Sequence, residues 1–270
     1  MKRSLASPRR NLSRLPAAAA LLLAALLASA VHSAPEPLPP AQVSLNAARQ
    51  ALAKPDPARA IELLRTASTQ EPHWLLPHQY LAVAYQMAGQ AEEARAEYLS
   101  VQRTTRDWTL SGRTNAPESR DDLVQAEAEA AFLINQSRLA QKLSLLRPDP
   151  LLAICAREHS FQMRDQQQCE HSSSLPGCRT ALDRFRLLFG YLPVLIAENI
   201  ARTQWGRDEK GMVERVAQLR EQFMDSPGHR SNTLHRELAR LGVGLALSPD
   251  GTLWTTELFA QAPGDGGGER

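Results

Sequence analysis

The sequence predicts an α+β fold, a helical array followed by a mixed helix–sheet domain that closes on an antiparallel hairpin. Three observations carry this. Between residues 41 and 106 small and apolar residues recur 34 positions apart: Ala60, Leu64 and Ala67 are answered by Ala94, Tyr98 and Val101. Helical periodicity resumes beyond residue 121. Near the end of the chain, apolar residues alternate over 241–247 and 253–259 around the turn Ser248-Pro249-Asp250-Gly251, which is a hairpin pattern. Helices first and an antiparallel hairpin last point to layered α+β packing.

The chain opens on Lys2, Arg3, Arg9, Arg10 and Arg14 with no acid among them, followed by an uncharged apolar run over 17–30. That run has the length of a signal-peptide core and falls short of the roughly 20 residues a bilayer span needs. Ala28 and Ala30, or Ala34, suit signal peptidase. Residues 1–34 are therefore expected to be a cleaved export signal, ending after about residue 30 or 34, with a retained anchor as the alternative. No later stretch is long and apolar enough to span a membrane. Removing residues 1–30 changes the formal net charge from +2 to −3, so the basic balance belongs to the leader. No basic stripe suggests nucleic acid. The remaining part, about 235 residues, allows one large domain or two small ones.

A Pro-rich spacer covers 35–40. Breaks at Lys54-Pro55-Asp56-Pro57, Glu71-Pro72 and Gly89 then divide 41–106 into two units, 41–73 and 74–106. With small residues at Ala48, Ala60, Ala82 and Ala94, they resemble tetratricopeptide repeats. A plain helical bundle is the alternative. Two repeats are too few for an independent solenoid, so they are expected to lean on the next domain or on a partner. The polar stretch 107–121 loses periodicity and marks a boundary, with 107–127 as linker and helix entry, 128–262 as the second domain and 263–270 as a disordered tail. Within the second domain the spacing predicts helices over 122–146, 150–164 (capped by Asp149), 179–189 and 209–224, and a strand over 195–201.

Three cysteines meet an oxidising compartment after export. Cys169 and Cys178 bracket a short loop with a Pro176-Gly177 turn, and are expected to pair, contributing about 2–3 kcal/mol on the chain-entropy view. Cys155 would remain a buried free thiol. Three single pairings are possible in principle.

Three segments depart from core patterning: Glu170-His171-Ser172, Ala197-Glu198-Asn199-Ile200-Ala201, and Ser226-Pro227-Gly228-His229-Arg230-Ser231-Asn232. Glu198 sits in an apolar strand, and a buried carboxylate needs a partner. Histidine is the natural one. These segments occur in order with Leu133-Ile134-Asn135-Gln136-Ser137-Arg138, Arg179, Gly190 and Leu241-Gly242-Val243-Gly244. Together they resemble a bacterial member of the CAP superfamily, also called the SCP domain, over about 128–260. The resemblance implies an α-β-α sandwich with a central cleft where fuller members hold a divalent metal on two histidines and two glutamates. His171, Glu198 and His229 match three of those positions. The fourth falls on Ser226, with Phe223 where the family has tryptophan. His2Glu is still a legitimate zinc set, although no His-Glu-x-x-His pattern fixes two ligands on one helix.

Each residue also has a plainer reading. His171 serves the cleft or bonds its own loop; Glu198 faces the cleft or anchors the strand; His229 serves the cleft or caps a helix end. Asn199, Arg230 and Asn232 read as structural, and His159 as a core histidine. Three functions follow. The first is a binding module whose cleft holds a small apolar ligand, a peptide or a divalent metal such as zinc, none of them required, with the repeats docking a protein partner. The second is a hydrolase, disfavoured because Ser226 presents no nucleophile elbow. The third is an envelope scaffold with a vestigial cleft.

Overall fold

The computed structural model describes residues 39–110, 121–204 and 211–265. The expected leader and the tail beyond residue 265 lie outside the described residues. The chain forms nine described helices and four strands. These are α1 (Pro39–Ala53), α2 (Pro57–Gln70), α3 (Leu75–Met87), α4 (Ala91–Leu110), α5 (Asp121–Ala140), β1 (Arg147–Pro148), α6 (Pro150–Gln166), α7 (Ala181–Phe189), β2 (Leu195–Gln204), α8 (Met212–Asp225), α9 (Pro227–Thr233), β3 (Arg240–Leu247) and β4 (Thr252–Gln261).

Local signals set several boundaries. Asp56 and Asp149 accept backbone N–H groups at the starts of α2 and α6, and each is followed by proline at the first helical position. Thr180 and Asp183 form a capping box on α7, and Gly190 ends that helix in the left-handed conformation at φ 73°.

The sheet order is β1-β3-β4-β2. β2 and β3 both run antiparallel to β4, and β1 adds two parallel residues to β3. Alternation along the strands divides the side chains between two faces. Leu241, Val243, Leu245, Leu253 and Phe259 share a core with α5 and α8 residues such as Ile134 and Val216. Ile196, Leu258 and Ala260 share another with Leu152, Phe185 and Leu188 of α6 and α7. The domain is therefore the expected α-β-α sandwich. α6 presses so closely on β3 that a Cβ added at Gly242 or Gly244 would lie 2.1 Å from the helix backbone, at Leu152 and Arg157 respectively. Only glycine fits there.

The helical array is not free-standing. Gln86 donates to the Phe132 carbonyl of α5, and Tyr98 donates to Gln86 Oε1 at 2.9 Å. Asn135 of α5 donates to the Tyr98 hydroxyl and the Leu146 carbonyl. Deeper, the buried carboxylate of Glu127 accepts Arg106 of α4, Arg157 of α6 and the Leu245 backbone N–H. Arg157 extends the network to Thr109 and Gln102 of α4. A buried charge network is tolerable only when its members satisfy one another, and this one stitches α4, α5, α6 and β3 together.

Candidate functional site

β2 decides the geometry of the site. It is an edge strand with its free side to solvent, and its consecutive residues face opposite layers. Glu198 faces α6 and α7, whereas Asn199 faces α8.

On the α6–α7 side Glu198 is buried. Its Oε1 accepts His171 Nδ1–H at 3.0 Å, and its Oε2 accepts Arg184 Nη2–H at 2.5 Å. An ionised carboxylate can only accept, which fixes the proton on His171 Nδ1. His159 Nε2 lies 3.8 Å from Glu198 Oε1 and 3.1 Å from the Glu170 carbonyl, to which it must donate. Arg184 is fully buried, and its Nη1 reaches the His171 and Cys178 carbonyls at 3.4 and 3.5 Å. One guanidinium thus holds both the strand carboxylate and the loop that carries His171.

On the α8 side Glu257 accepts Arg220 Nη1 at 2.8 Å and Asn199 Nδ2 at 3.0 Å. Asn199 also donates to the His229 carbonyl and accepts from Asn232 Nδ2, which itself reaches the Glu198 carbonyl. These bonds fasten the short helix α9 to β2. His229 lies on α9 with its ring 4.7 Å from that of Phe223. Its Nδ1 is buried and has no hydrogen-bond partner among the described residues.

The charges follow from this placement. Burial alone would raise the Glu198 carboxyl, but the His171 hydrogen bond and the Arg184 and His159 fields outweigh it and hold it low. His171 is raised by its bond to Glu198 against some desolvation. Burial, reinforced by Arg184, pushes His159 down to about 4. His229 is lowered by burial, opposed by Glu257, and also feels the His171 and Arg220 charges. It stands between the two clusters.

Along the outer edge of β2 runs an open groove of about 440 Å³, lined by Ile200, Ala201, Arg202, Thr203, Leu219, Gln222, Phe223, Ser226, His229 and Cys169. A larger hollow of about 620 Å³ lies beside α9 against Arg230, Leu234 and Glu237, and is lined by none of the predicted site residues.

The structure thus brings His171 and Glu198 into contact, with His229 and Ser226 at the adjoining groove. It bears on two expectations. Among the described residues no three His, Cys, Asp or Glu side chains form a set able to hold a metal. In this arrangement the two oxygens of Glu198 accept from His171 and from the cation of Arg184. Cys169 and Cys178 are not paired either; both are free, as is Cys155. The loop is closed instead by the Ser173 N–H bonding the Arg179 carbonyl at 2.8 Å. Cys169 lies outside that closure at the groove, while Cys178 is buried.

Sequence reasoning missed Arg184, Arg220 and Glu257, and left His159 as plain core. A signal existed for Arg184. It lies beside Phe185 in α7 on the side that buries Phe185 and Leu188, and a buried arginine calls for a buried acid.

The layered fold and the residues gathered at the β2 edge define a CAP-type domain. Residues 132–259 match the CAP family, the cysteine-rich secretory protein family. The C-terminal part of the chain is thus similar to CAP (SCP) domains. The uncharacterized protein YkwD of Bacillus subtilis (strain 168) is 30% identical over 150 residues, 55% of this chain and 53% of that protein; the chain spans about half the length of the relative it matches. Among solved structures, an extracellular protein containing a SCP domain from Bacillus anthracis str. Ames is 26% identical with a TM-score of 0.42, covering 55% of this chain and 44% of that one. An outer surface protein from Borrelia burgdorferi is 16% identical with a TM-score of 0.40, covering 49% of this chain and 89% of that one.

Proposed function

We propose that the chain is an exported binding module whose CAP domain takes a small ligand with an apolar body and an acidic end in the groove beside His229. The observation that carries this reading is the lining. Ile200, Leu219 and Phe223 offer apolar wall, and Arg202 offers a cation at the same opening. A concave, largely apolar surface with a few polar groups is the usual form of a small-molecule site. Export rests on the basic, then apolar, leader over residues 1–34.

A metal role is disfavoured by the Arg184–Glu198 pair. The hydrolase reading stays second: Ser226 and Cys169 line the groove with His229, yet neither hydrogen-bonds its ring among the described residues. Nucleophile activation would need such a contact. Helices α1–α4 are read as two tetratricopeptide-like hairpins. Because α5 packs along α4 and bonds α3 through Gln86, the outer faces of α1 and α2 are the ones left for a protein partner.

The test uses dodecanoate displacing the fluorescent probe 1-anilinonaphthalene-8-sulfonate from the processed protein. Wild type should release the probe saturably. Gln222→Trp, which fills the groove from an exposed position, and Arg202→Glu should each weaken dodecanoate at least tenfold. Equal displacement from all three proteins would remove the groove from consideration.

A further inference from the structure

Two arginines from segments that stand out in the sequence, Arg138 and Arg230, take no part in the clusters at β2. Arg138 is fully buried on α5, and its partners are all carbonyls. Its Nε donates to Ser144 at 2.9 Å, its Nη1 to Thr233 at 2.8 Å and His235 at 2.9 Å, and its Nη2 reaches Leu238 at 3.5 Å. Burial pulls the guanidinium down to about 10, and no carboxylate among the described residues opposes that. A buried charge ordinarily calls for a counter-charge. Here carbonyl dipoles satisfy the N–H groups while the positive charge itself meets no acid.

The segment 233–238 that wraps this cation also walls the hollow beside α9. Leu234, Arg236 and Glu237 line the hollow from that segment, and Pro227, Arg230 and Ser231 line it from α9. Arg230 and Arg236 are both exposed. Arg230 Nη1 donates to the Met224 carbonyl at 3.0 Å. The Arg236 guanidinium forms neither a hydrogen bond nor an ion pair with a described residue. Glu237 is the only acid among the described residues of the lining, and it is in ion-pair contact with neither arginine. The hollow therefore carries two guanidinium groups at its surface and a third behind its wall, against one carboxylate.

We propose that the hollow beside α9 binds a small organic phosphate, with the phosphate group between Arg230 and Arg236 and the body of the ligand against Pro227 and Leu234. Guanidinium forks match phosphate oxygens, and a phosphate can accept from more than one fork at once. The Ser231 hydroxyl adds a neutral donor. A volume of about 620 Å³ is far more than a bare ion fills, and the apolar residues give an organic body a surface to rest on. Arg138 adds a field from a buried position, where salt screens it least. The hollow shares no lining residue with the groove at the β2 edge, so this inference does not rest on the ligand proposed there.

The test is isothermal titration of glucose 6-phosphate into the processed protein, with glucose and inorganic phosphate as comparisons. The ester should bind saturably, and more weakly as salt rises. Glucose should not bind, and inorganic phosphate should bind more weakly than the ester. Arg236→Glu puts a repelling charge at the contact and should weaken the ester about tenfold or more. Glu237→Gln removes the acid of the lining and should tighten the ester about threefold. Both positions are exposed, and circular dichroism checks that each variant is folded. Gln222→Trp, in the other groove, should leave binding unchanged. No binding of the ester at millimolar concentration, equal binding of glucose, or binding indifferent to both charge substitutions overturns the proposal. Inorganic phosphate held as tightly as the ester overturns it too, since the hollow would then be an unselective ion site. So does binding that Gln222→Trp abolishes, which would put the ligand at β2.

Discussion

Arg184 and Glu198 form a buried ion pair beneath the loop that carries His171, with Arg184 Nη2 on Glu198 Oε2 and both side chains almost wholly excluded from solvent. Removing the cation would leave an uncompensated carboxylate in the core of the sandwich. Such losses cost about 3–5 kcal/mol, whereas replacing both partners costs far less. Arg184→Met should therefore lower the urea midpoint strongly, and adding Glu198→Gln should recover part of the loss. A fully additive double variant would mean that the two side chains do not stabilise one another.

The same pair bears on metal. A divalent ion bound directly by Glu198 would compete with Arg184 for the carboxylate, and the resemblance sets Ser226 where fuller members would have a fourth ligand. Zinc titrated calorimetrically into the processed protein should bind no more tightly to wild type than to His171→Ala or His229→Ala. Stoichiometric micromolar binding that both substitutions abolish would show that Arg184 yields its place.

The three thiols should differ in reactivity. Cys169 is exposed at the groove, whereas Cys178 is buried and burial pushes the Cys155 thiol up to about 12. The thiolate is the reacting form. In the native protein an aromatic disulfide reagent should titrate one thiol quickly, lost in Cys169→Ser, and two more only on unfolding. A single thiol after unfolding would instead indicate a disulfide.

What the sequence made legible was what local pattern encodes. Asp149 before Pro150, the apolar stripe Met212, Val216, Leu219 and Phe223, and the Gly251 turn located α6, α8 and the β3–β4 hairpin within a few residues. β1 escaped because its two residues, Arg147 and Pro148, carry no periodicity and are strand only by pairing with Arg240 and Leu241. α9 escaped because Pro227-Gly228 reads as a turn, although proline opens a helix there. At the site, the polar residues of β2 and its flanking loops were visible as departures from an apolar pattern. Their partners were not, because Arg184 and Glu198 are brought together only when α7 packs on β2. The same applies to His159, whose spacing on α6 is that of any core residue and whose field on Glu198 depends on the sheet behind it.

His159 and His171 should give stability a maximum near the ordinary histidine value of 6.5. His159 is held neutral in the folded state, with its pKa lowered to about 4 by burial and by Arg184. Between pH 6.5 and about 4 the unfolded chain takes up that proton and the folded chain does not, so stability falls as pH falls, by about 3 kcal/mol in total. His229, also lowered, acts with the same sign. His171 is raised by its bond to Glu198, so its contribution is complete below 6.5 and is lost as pH rises through its folded value. Urea midpoints measured from pH 4 to 8 should therefore fall on both sides of the maximum. His159→Gln, which keeps a donor for the Glu170 carbonyl and cannot titrate, should flatten the acid limb, and His171→Gln the alkaline one. An acid limb unchanged in His159→Gln would assign that slope to other groups and free His159 of the burial argued for it.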